Sequence, residues 1–298
     1  MVVNSINTFI RRYKQSGVIK KPPGIKPKKL SSEQVKVLNS WFDENCLITL
    51  DDAKDKVKEN FGIEICIETI RNYLNKLNFS FKRISVVPVA RNDPTRIAAR
   101  KEYARNFMTI QRHREKFFFL DETGIAVHAR VNYGWSRIGE RANVKTRAVR
   151  GKHFSICAAI NYRSLYFYEA KEKGYDTEHF VTFLNQFLRF LERDDIKEAY
   201  IIMENVPFHH STGVKDTIEG KGHNLIFLPA YSPFLNPIEN MFNQLKYYVK
   251  RFNPNTPDDV FHGVDLASEM VVKNDCINYY ENMMIYIGKS LEGEIINN

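Results

Sequence analysis

A series of short apolar runs in the second half of this 298-residue chain constrains its fold more than any other feature. The first run, Phe117 to Leu120, is apolar at every position, as expected for a strand buried on both faces of a sheet. With the helical segments between the later runs, the order is strand, strand, strand, helix, strand, helix, strand, helix. This order predicts an α/β domain with a mixed five-stranded sheet. The later strands are predicted at residues 153–160, 164–170, 199–203 and 225–228.

Acidic residues occupy special positions in this predicted order. Asp121 follows the first strand directly, Glu204 follows the fourth, and Glu239 lies in the first turn of the last helix. If the first and fourth strands are neighbours, the three carboxylates meet at one edge of the sheet. Carboxylate clusters bind hard cations such as Mg²⁺, and two such ions about 4 Å apart support phosphodiester chemistry. Any one of these acids alone is more commonly a helix cap or a solvated loop residue.

The charge of the chain is unevenly distributed. Residues 1–116 carry 24 lysine and arginine residues against 12 acidic ones, whereas the remainder carries 20 against 23. A basic first part joined to a mildly acidic second part predicts a polyanion-binding module attached to another domain, although a solvated basic surface gives the same totals. The four cysteines are widely spaced, and the longest apolar runs are far below the roughly 20 residues of a membrane helix. We therefore expect an intracellular protein that makes no use of a membrane.

Three short helices are predicted between residues 31 and 80. Ser31 with Gln34, and then Thr49, have the residue types of helix N-caps, and Gly62 is a typical stop signal. The third predicted helix contains Arg71 and Asn72, and arginine and asparagine are the side-chain types that read guanine and adenine edges. This composition favours a helix-turn-helix DNA-binding domain. A plain three-helix bundle has the same hydrophobic pattern. The residues expected to face DNA from this helix are Thr69, Arg71, Asn72 and Lys76.

Basic residues flank these helices on both sides. The segment 20–29, before these helices, contains Pro22, Pro23 and Pro27, which exclude a regular helix there. It is therefore predicted to be an extended basic strap that follows a phosphate backbone. A flexible solvated linker is compatible with the same sequence. The strap lysines are Lys20, Lys21, Lys26, Lys28 and Lys29. After the helices, Lys82 and Arg83 begin a basic stretch that is expected to form a linker helix able to lie along DNA.

Three motifs resemble the mariner-type DDE transposase superfamily, which includes related bacterial insertion-sequence enzymes. They are FLDETG at residues 119–124, YGWS at 133–136 with Gly139, and LPAYSPFLNPIEN at 228–240, and the similarity extends from about Asn4 to Phe252. The resemblance implies an RNase H-like catalytic domain preceded by an all-α helix-turn-helix region. It also implies transposition that depends on Mg²⁺ or Mn²⁺, with two ions in each active site.

The resemblance implies a division of the chain into five segments. Residues 1–30 correspond to a truncated first helix-turn-helix with the basic strap, and 31–80 to a second, winged-helix-like one. Residues 81–115 are the linker helix, 116–252 the catalytic domain and 253–298 a helical extension. The implied partners are double-stranded DNA, both transposon terminal inverted repeats and target DNA, and a second copy of the chain. The implied location is with the DNA, in the nucleus of a eukaryote or otherwise in the cytoplasm or nucleoid.

The resemblance also assigns roles to single residues. Asp121 matches the first metal ligand, Glu239 the third and Glu204 the second, with Asn205, His209 and Asn236 in supporting roles. Glu204 departs from the family, whose motif has aspartate there, although the interval of 34 residues to Glu239 fits. A longer side chain displaces the carboxylate by more than about 1 Å, and such shifts can cost about 10²-fold in rate.

This departure leaves several hypotheses open. The chain is an active transposase, or an impaired or domesticated derivative that acts only by binding DNA. A host nuclease of similar fold is a weaker alternative. Glu122 and Asp195 are the nearby acids that could compensate for the altered position.

Overall fold

The computed structural model describes residues 10–11, 13–15, 17, 29–84, 86–127, 136, 138, 141, 143 and 153–297. The chain divides into two compact units, Met1–Ile84 and Ser85–Asn298. Every helix among the described residues is too short or too polar to cross a lipid bilayer. Most of the YGWS motif lies outside the described residues, and so do four lysines of the predicted strap, Lys20, Lys21, Lys26 and Lys28.

The first unit is helical between residues 31 and 77, as predicted. Its helices there are α1 (Ser32–Glu44), α2 (Leu50–Phe61) and α3 (Ile67–Lys76). Ser31 and Thr49 cap α1 and α2, each in a reciprocal pair of side-chain and backbone hydrogen bonds with the residue three positions later. Gly62 ends α2 in the left-handed conformation, with φ of 65°. The predicted caps and stop signal are therefore confirmed, and the apolar faces meet around Leu38, Val57, Ile70 and Leu74.

The second unit is built on a five-stranded sheet. Its strands are β1 (Phe117–Ala126), β2 (His153–Ile160), β3 (Leu165–Glu172), β4 (Tyr200–Met203) and β5 (Asn224–Phe227). They lie in the order β3-β2-β1-β4-β5. The pairs β1–β2 and β2–β3 are antiparallel, whereas β1–β4 and β4–β5 are parallel. The predicted mixed sheet, with its first and fourth strands as neighbours, is therefore confirmed.

Among the residues that the structure describes, six α-helices cover the two faces of this sheet. They are α4 (Pro94–Ile110), α5 (Thr177–Arg193), α6 (Thr212–Glu219), α7 (Ile238–Phe252), α8 (Pro257–Glu269) and α9 (Lys273–Glu292). Phe118 and Leu120 pack in one core with α5 and α6, whereas Phe117 and Phe119 pack in the other with α4 and α7–α9. Because successive strand residues point to opposite faces, a central strand covered on both sides is apolar at every position.

Helices within the predicted segments 81–115 and 253–298 contribute to the core of the second unit. Helix α4 buries Tyr103 and Phe107, and the Phe107 ring centroid lies 5.1 Å from that of Phe117 in β1. Helices α8 and α9 bury Val264 and Tyr280 in the same core. The helix interpreted from the sequence as a DNA-facing linker is thus packed along one side, and the C-terminal helices complete the layer on that face.

Two expectations about acidic residues are wrong. Strand β1 does not end before Asp121 but continues to Ala126, because β2 pairs with it along this length while β4 pairs only with residues 117–120. Asp121 therefore lies within β1, opposite Ala158 of β2, at the point where β4 stops. Asp195 cannot compensate for Glu204, because it precedes β4 and so lies at the opposite end of that strand, where its carboxylate pairs with Lys197 at 2.9 Å.

Candidate active site

Three acidic side chains from distant parts of the sequence come together beside the end of β4. Asp121 has the same parity along β1 as Phe117 and Phe119, so it faces the side of the sheet that α7 covers. Glu204 follows the last residue of β4, and Glu239 is in the first turn of α7. One carboxylate oxygen from each of the three lies within 4.8 Å of the others. The structure thus gathers the acids that the sequence analysis singled out.

A buried amide holds the Asp121 carboxylate in place. Nδ2 of Asn236 donates to Oδ2 of Asp121 at 3.1 Å, and the backbone N–H of Glu122 donates to Oδ1 at 2.8 Å. Asn236 is buried, and its own Oδ1 has no hydrogen-bond partner among the described residues. The backbone carbonyl oxygen of Asn236 accepts a hydrogen bond from the backbone N–H of Glu239 at 3.2 Å. Asn236 therefore connects two of the three acids.

The electrostatics of the cluster are those of like charges held together. Burial, followed by the neighbouring Glu204 carboxylate, raises the pKa of Asp121 to about 8. Burial and the charge of Glu239 raise the pKa of Glu204, and burial raises the pKa of Glu239. Each group is therefore harder to ionise here than in water, because desolvation and mutual repulsion both disfavour the charged form. Such a cluster favours a bound cation.

Lys246 is a neighbour of the cluster that the sequence analysis missed. It follows Glu239 by seven residues, two turns along α7, and is half-buried. Burial lowers the pKa of its ammonium group, while the charges of Glu239 and Asp121 act in the opposite direction. The seven-residue spacing was the available signal, since it puts both side chains on one face of the helix.

His209 supports the segment that carries Glu204. Its buried ring donates through Nδ1 to the carbonyl oxygen of Glu204 at 2.9 Å, and its Nε2 lies 3.4 Å from Oε1 of Glu122. The ring also packs on Phe180 of α5, with 4.7 Å between ring centroids. Glu122 thus contacts this histidine and is not among the acids of the cluster. Asn205 is exposed, and its Oδ1 accepts from Nε2 of His210 at 2.5 Å.

The residues proposed to contact DNA in the first unit are mostly exposed. Thr69 differs from the expectation, because it is half-buried and its hydroxyl lies 3.2 Å from Sγ of Cys66 at the start of α3. The guanidinium group of Arg71 pairs with Glu68 at 2.5 Å on the same helix. The exposed residues are Lys29, Arg71, Asn72, Lys76, Lys82 and Arg83.

Comparison with known proteins identifies the family of the second unit. Residues 116–259 match the profile described as "DDE superfamily endonuclease". This range includes all three clustered acids and the whole sheet. Residues 116–259 form a DDE superfamily domain. No curated protein sequence matches the chain.

Solved structures show which DDE fold this is. The chain is similar to the Mos1 transposase paired-end complex with left transposon end, at 18% identity and a TM-score of 0.72, over 97% of this chain and 87% of that one. The chain is also similar to a pre-cleavage Mos1 transpososome, at 18% identity and a TM-score of 0.72, over 99% of this chain and 89% of that one. For a Mos1 mariner paired-end complex with Mn, the identity is 17% and the TM-score 0.71, over 97% of this chain and 87% of that one. The DDE domain and the helices before it therefore have a fold similar to that of the Mos1 transposase, as the resemblance implied.

Proposed function

We propose that this protein is a DNA transposase that binds transposon ends, cleaves their phosphodiester bonds and joins them to target DNA. The observation that carries the proposal is the cluster of Asp121, Glu204 and Glu239, in which one carboxylate oxygen from each residue lies within 4.8 Å of the others. A cluster of this kind is costly without a bound cation, and a DDE superfamily domain is the setting in which it occurs. Paired transposon ends and Mn are found in the similar Mos1 structure.

The donor set fits divalent metal ions. Three carboxylates provide the hard oxygen ligands that Mg²⁺ and Mn²⁺ prefer. Asn236, whose Nδ2 donates to Asp121, has a further oxygen, Oδ1, without a hydrogen-bond partner among the described residues. We propose that Asp121, Glu204 and Glu239 hold two such ions. When bound, divalent ions polarise the scissile phosphodiester and make water or a 3′-hydroxyl a better nucleophile.

The residues of this chain then act by holding geometry and charge. Asn236 fixes the orientation of the Asp121 carboxylate through its amide N–H. His209 fixes the backbone at Glu204 through the carbonyl hydrogen bond. The ammonium group of Lys246 offsets part of the negative charge around Glu239. Preorganised charges of this kind contribute to phosphoryl transfer because they need no rearrangement when charge develops in the transition state.

DNA binding in this proposal involves both units. We propose that α3 reads base edges through Arg71 and Asn72, with Lys29, Lys76, Lys82 and Arg83 contacting phosphates. A homodimer would hold two transposon ends together, as the paired-end Mos1 complexes do with theirs. The protein would then act wherever its DNA substrate is located.

A second candidate function is DNA binding without cleavage. The observation that favours it is Glu204 itself, which stands where the family motif has aspartate. The position of Glu204 argues against this second function. Its side chain is one methylene group longer than that of aspartate, and its carboxylate still lies in the cluster.

Nicking of supercoiled plasmid by wild type and by Glu204→Asp, in Mg²⁺ and in Mn²⁺, separates these functions. We expect wild type to nick, and Glu204→Asp to be slower by about 10²-fold, because the shorter side chain withdraws from a cluster that glutamate reaches. A gain with Glu204→Asp would instead identify an impaired enzyme. If neither protein nicks the plasmid but both still retard DNA in a gel-shift assay, DNA binding without cleavage is the function that remains. Nicking without preference for transposon ends would point to a general nuclease.

Replacing Asn236 with alanine is expected to weaken Mg²⁺ binding by roughly 10- to 100-fold, because Asp121 loses the amide that orients it. The measurement is the Mg²⁺ concentration needed to raise the thermal unfolding midpoint by a fixed amount above its value in EDTA. Asn243→Ala removes an exposed amide from the same region of α7 and should leave this concentration unchanged. Equal Mg²⁺ dependence in wild type and Asn236→Ala would contradict the proposed role.

A further inference from the structure

The loop between β5 and α7 has both of its ends at the candidate active site. At its start, the N–H of Leu228 donates to the carbonyl oxygen of Met203, the residue before Glu204, at 2.9 Å. At its end, Asn236 binds the Asp121 carboxylate. The seven residues between these anchors, 229–235, therefore form the border of the carboxylate cluster. Tyr231 lies in this border segment.

Tyr231 has an unfavourable backbone and an exposed ring. Its φ is +58°, in the left-handed region that glycine occupies readily and that other residues adopt only at a cost. The side chain is 48% exposed. A glycine would satisfy this turn better, and the tyrosine ring is too exposed to be explained by core packing. Strain of this kind beside an active site is characteristic of functional residues.

Arginine side chains in α4 and in the turn before it lie over two aromatic rings of this loop. The guanidinium group of Arg96 lies over the Tyr231 ring, 5.7 Å from its centroid. Those of Arg91 and Arg100 each lie 5.8 Å from the centroid of Phe234. Arg100 is fully buried, and donates to the carbonyl oxygen of Arg91 and to Oδ1 of Asn92. The aromatic and cationic groups are thus held as one assembly.

Within the described part of the chain, neither Arg96 nor Arg100 has a carboxylate at ion-pair distance. The nearest acid in sequence, Asp93, is engaged as the cap of α4, where its Oδ1 accepts from the N–H of Arg96 at 3.0 Å and from the Thr95 hydroxyl. Buried and half-buried cations that form no ion pair favour an anionic ligand.

We propose that Tyr231 and Arg96 form a nucleotide-stacking site at the edge of the carboxylate cluster, which holds an unpaired base of the DNA strand next to the scissile bond. The ring provides a face for any base, and the guanidinium group provides charge for the adjoining phosphate. This inference rests on the proposed function, since it makes Tyr231 a positioning residue for the same DNA strand.

The test is binding of a duplex with a short single-stranded overhang that carries 2-aminopurine, measured by fluorescence in EDTA so that no strand is cut. We expect wild type and Tyr231→Phe to quench the fluorescence. Tyr231→Ala and Tyr231→Gly should bind this probe about tenfold more weakly with less quenching, because the stacked base loses its platform. Arg96→Ala should reduce the slope of log affinity against log salt by roughly one.

Two controls separate stacking from general damage. Tyr247→Ala removes a ring that is 52% exposed and also lies beneath an arginine, Arg251, but within regular helix α7, and should bind as wild type does. Tyr231→Gly should have a higher unfolding midpoint than Tyr231→Ala, because glycine tolerates the positive φ. Unchanged binding in Tyr231→Ala, or an equal loss in Tyr247→Ala, would overturn the proposal. Quenching by a wild-type protein that does not nick plasmid would overturn the proposed function alone.

Discussion

Replacing Asp121 with alanine is expected to reduce metal-dependent nicking of supercoiled DNA by at least about a thousandfold. Asp121 is the most buried acid of the cluster, and it is the one fixed on both oxygens, by the Glu122 N–H and by the Asn236 amide. Its removal takes a ligand from the centre of the site, where no described acid can replace it. The measurement is the initial rate of plasmid nicking in Mg²⁺ and in Mn²⁺.

The matched control for this experiment is Asp195→Ala. Asp195 is an acid of the same domain, but it is exposed and lies at the opposite end of β4 from Glu204. We expect this variant to nick at the wild-type rate. Circular dichroism and the unfolding midpoint in EDTA show whether each variant is folded. A folded Asp121→Ala protein that retained a tenth or more of the rate would contradict the proposed site.

Replacing Phe187 with alanine is expected to lower the free energy of unfolding by about 3–5 kcal/mol. The ring is fully buried on α5, 5.5 Å from the ring of Phe118 in β1 and 6.0 Å from that of Tyr166 in β3, both centroid to centroid. The variant leaves a cavity between the helix and the centre of the sheet. Urea unfolding followed by circular dichroism measures the change.

The control for the core prediction lies one turn further along the same helix. Phe190 is only half-buried, and its replacement by alanine should cost clearly less than that of Phe187. Because α5 covers the face of the sheet opposite α7, the folded Phe187→Ala protein should still show the Mg²⁺-dependent rise in its unfolding midpoint. Equal losses of stability in the two variants would show that Phe187 is not at the centre of this core.

Local patterns predicted the secondary structure of this chain well. Ser31 and Thr49 could be assigned as caps because their partners are only three residues away. The central position of β1 could be predicted because residues 117–120 are apolar in both parities. The length of β1 could not be predicted in this way. A strand continues past its last apolar residue only where a neighbouring strand pairs with it, and β2 pairs with β1 as far as Ala126.

The candidate site was predicted in part. The three acids were identified by their places in the strand order and by resemblance, because each lies at or near the end of a recognisable element. The partners that orient them were assigned by resemblance alone or not at all. Asn236 meets Asp121 across 115 positions of sequence, and His209 meets Glu122 across 87. Lys246 and the Tyr231–Arg96 pair carried no signal that the sequence analysis used.

The sequence by itself determined which segments are helix and which are strand, and where most of them begin and end. Caps, turns and alternation act between residues a few positions apart, so they are present in any part of the chain considered alone. Only the tertiary structure decided that Asp121 lies within a strand, that α4 packs against the sheet, and that Arg96 of α4 lies over the Tyr231 ring. Those contacts join residues far apart in sequence, and they form because both faces of one sheet must be covered by whichever helices can reach them.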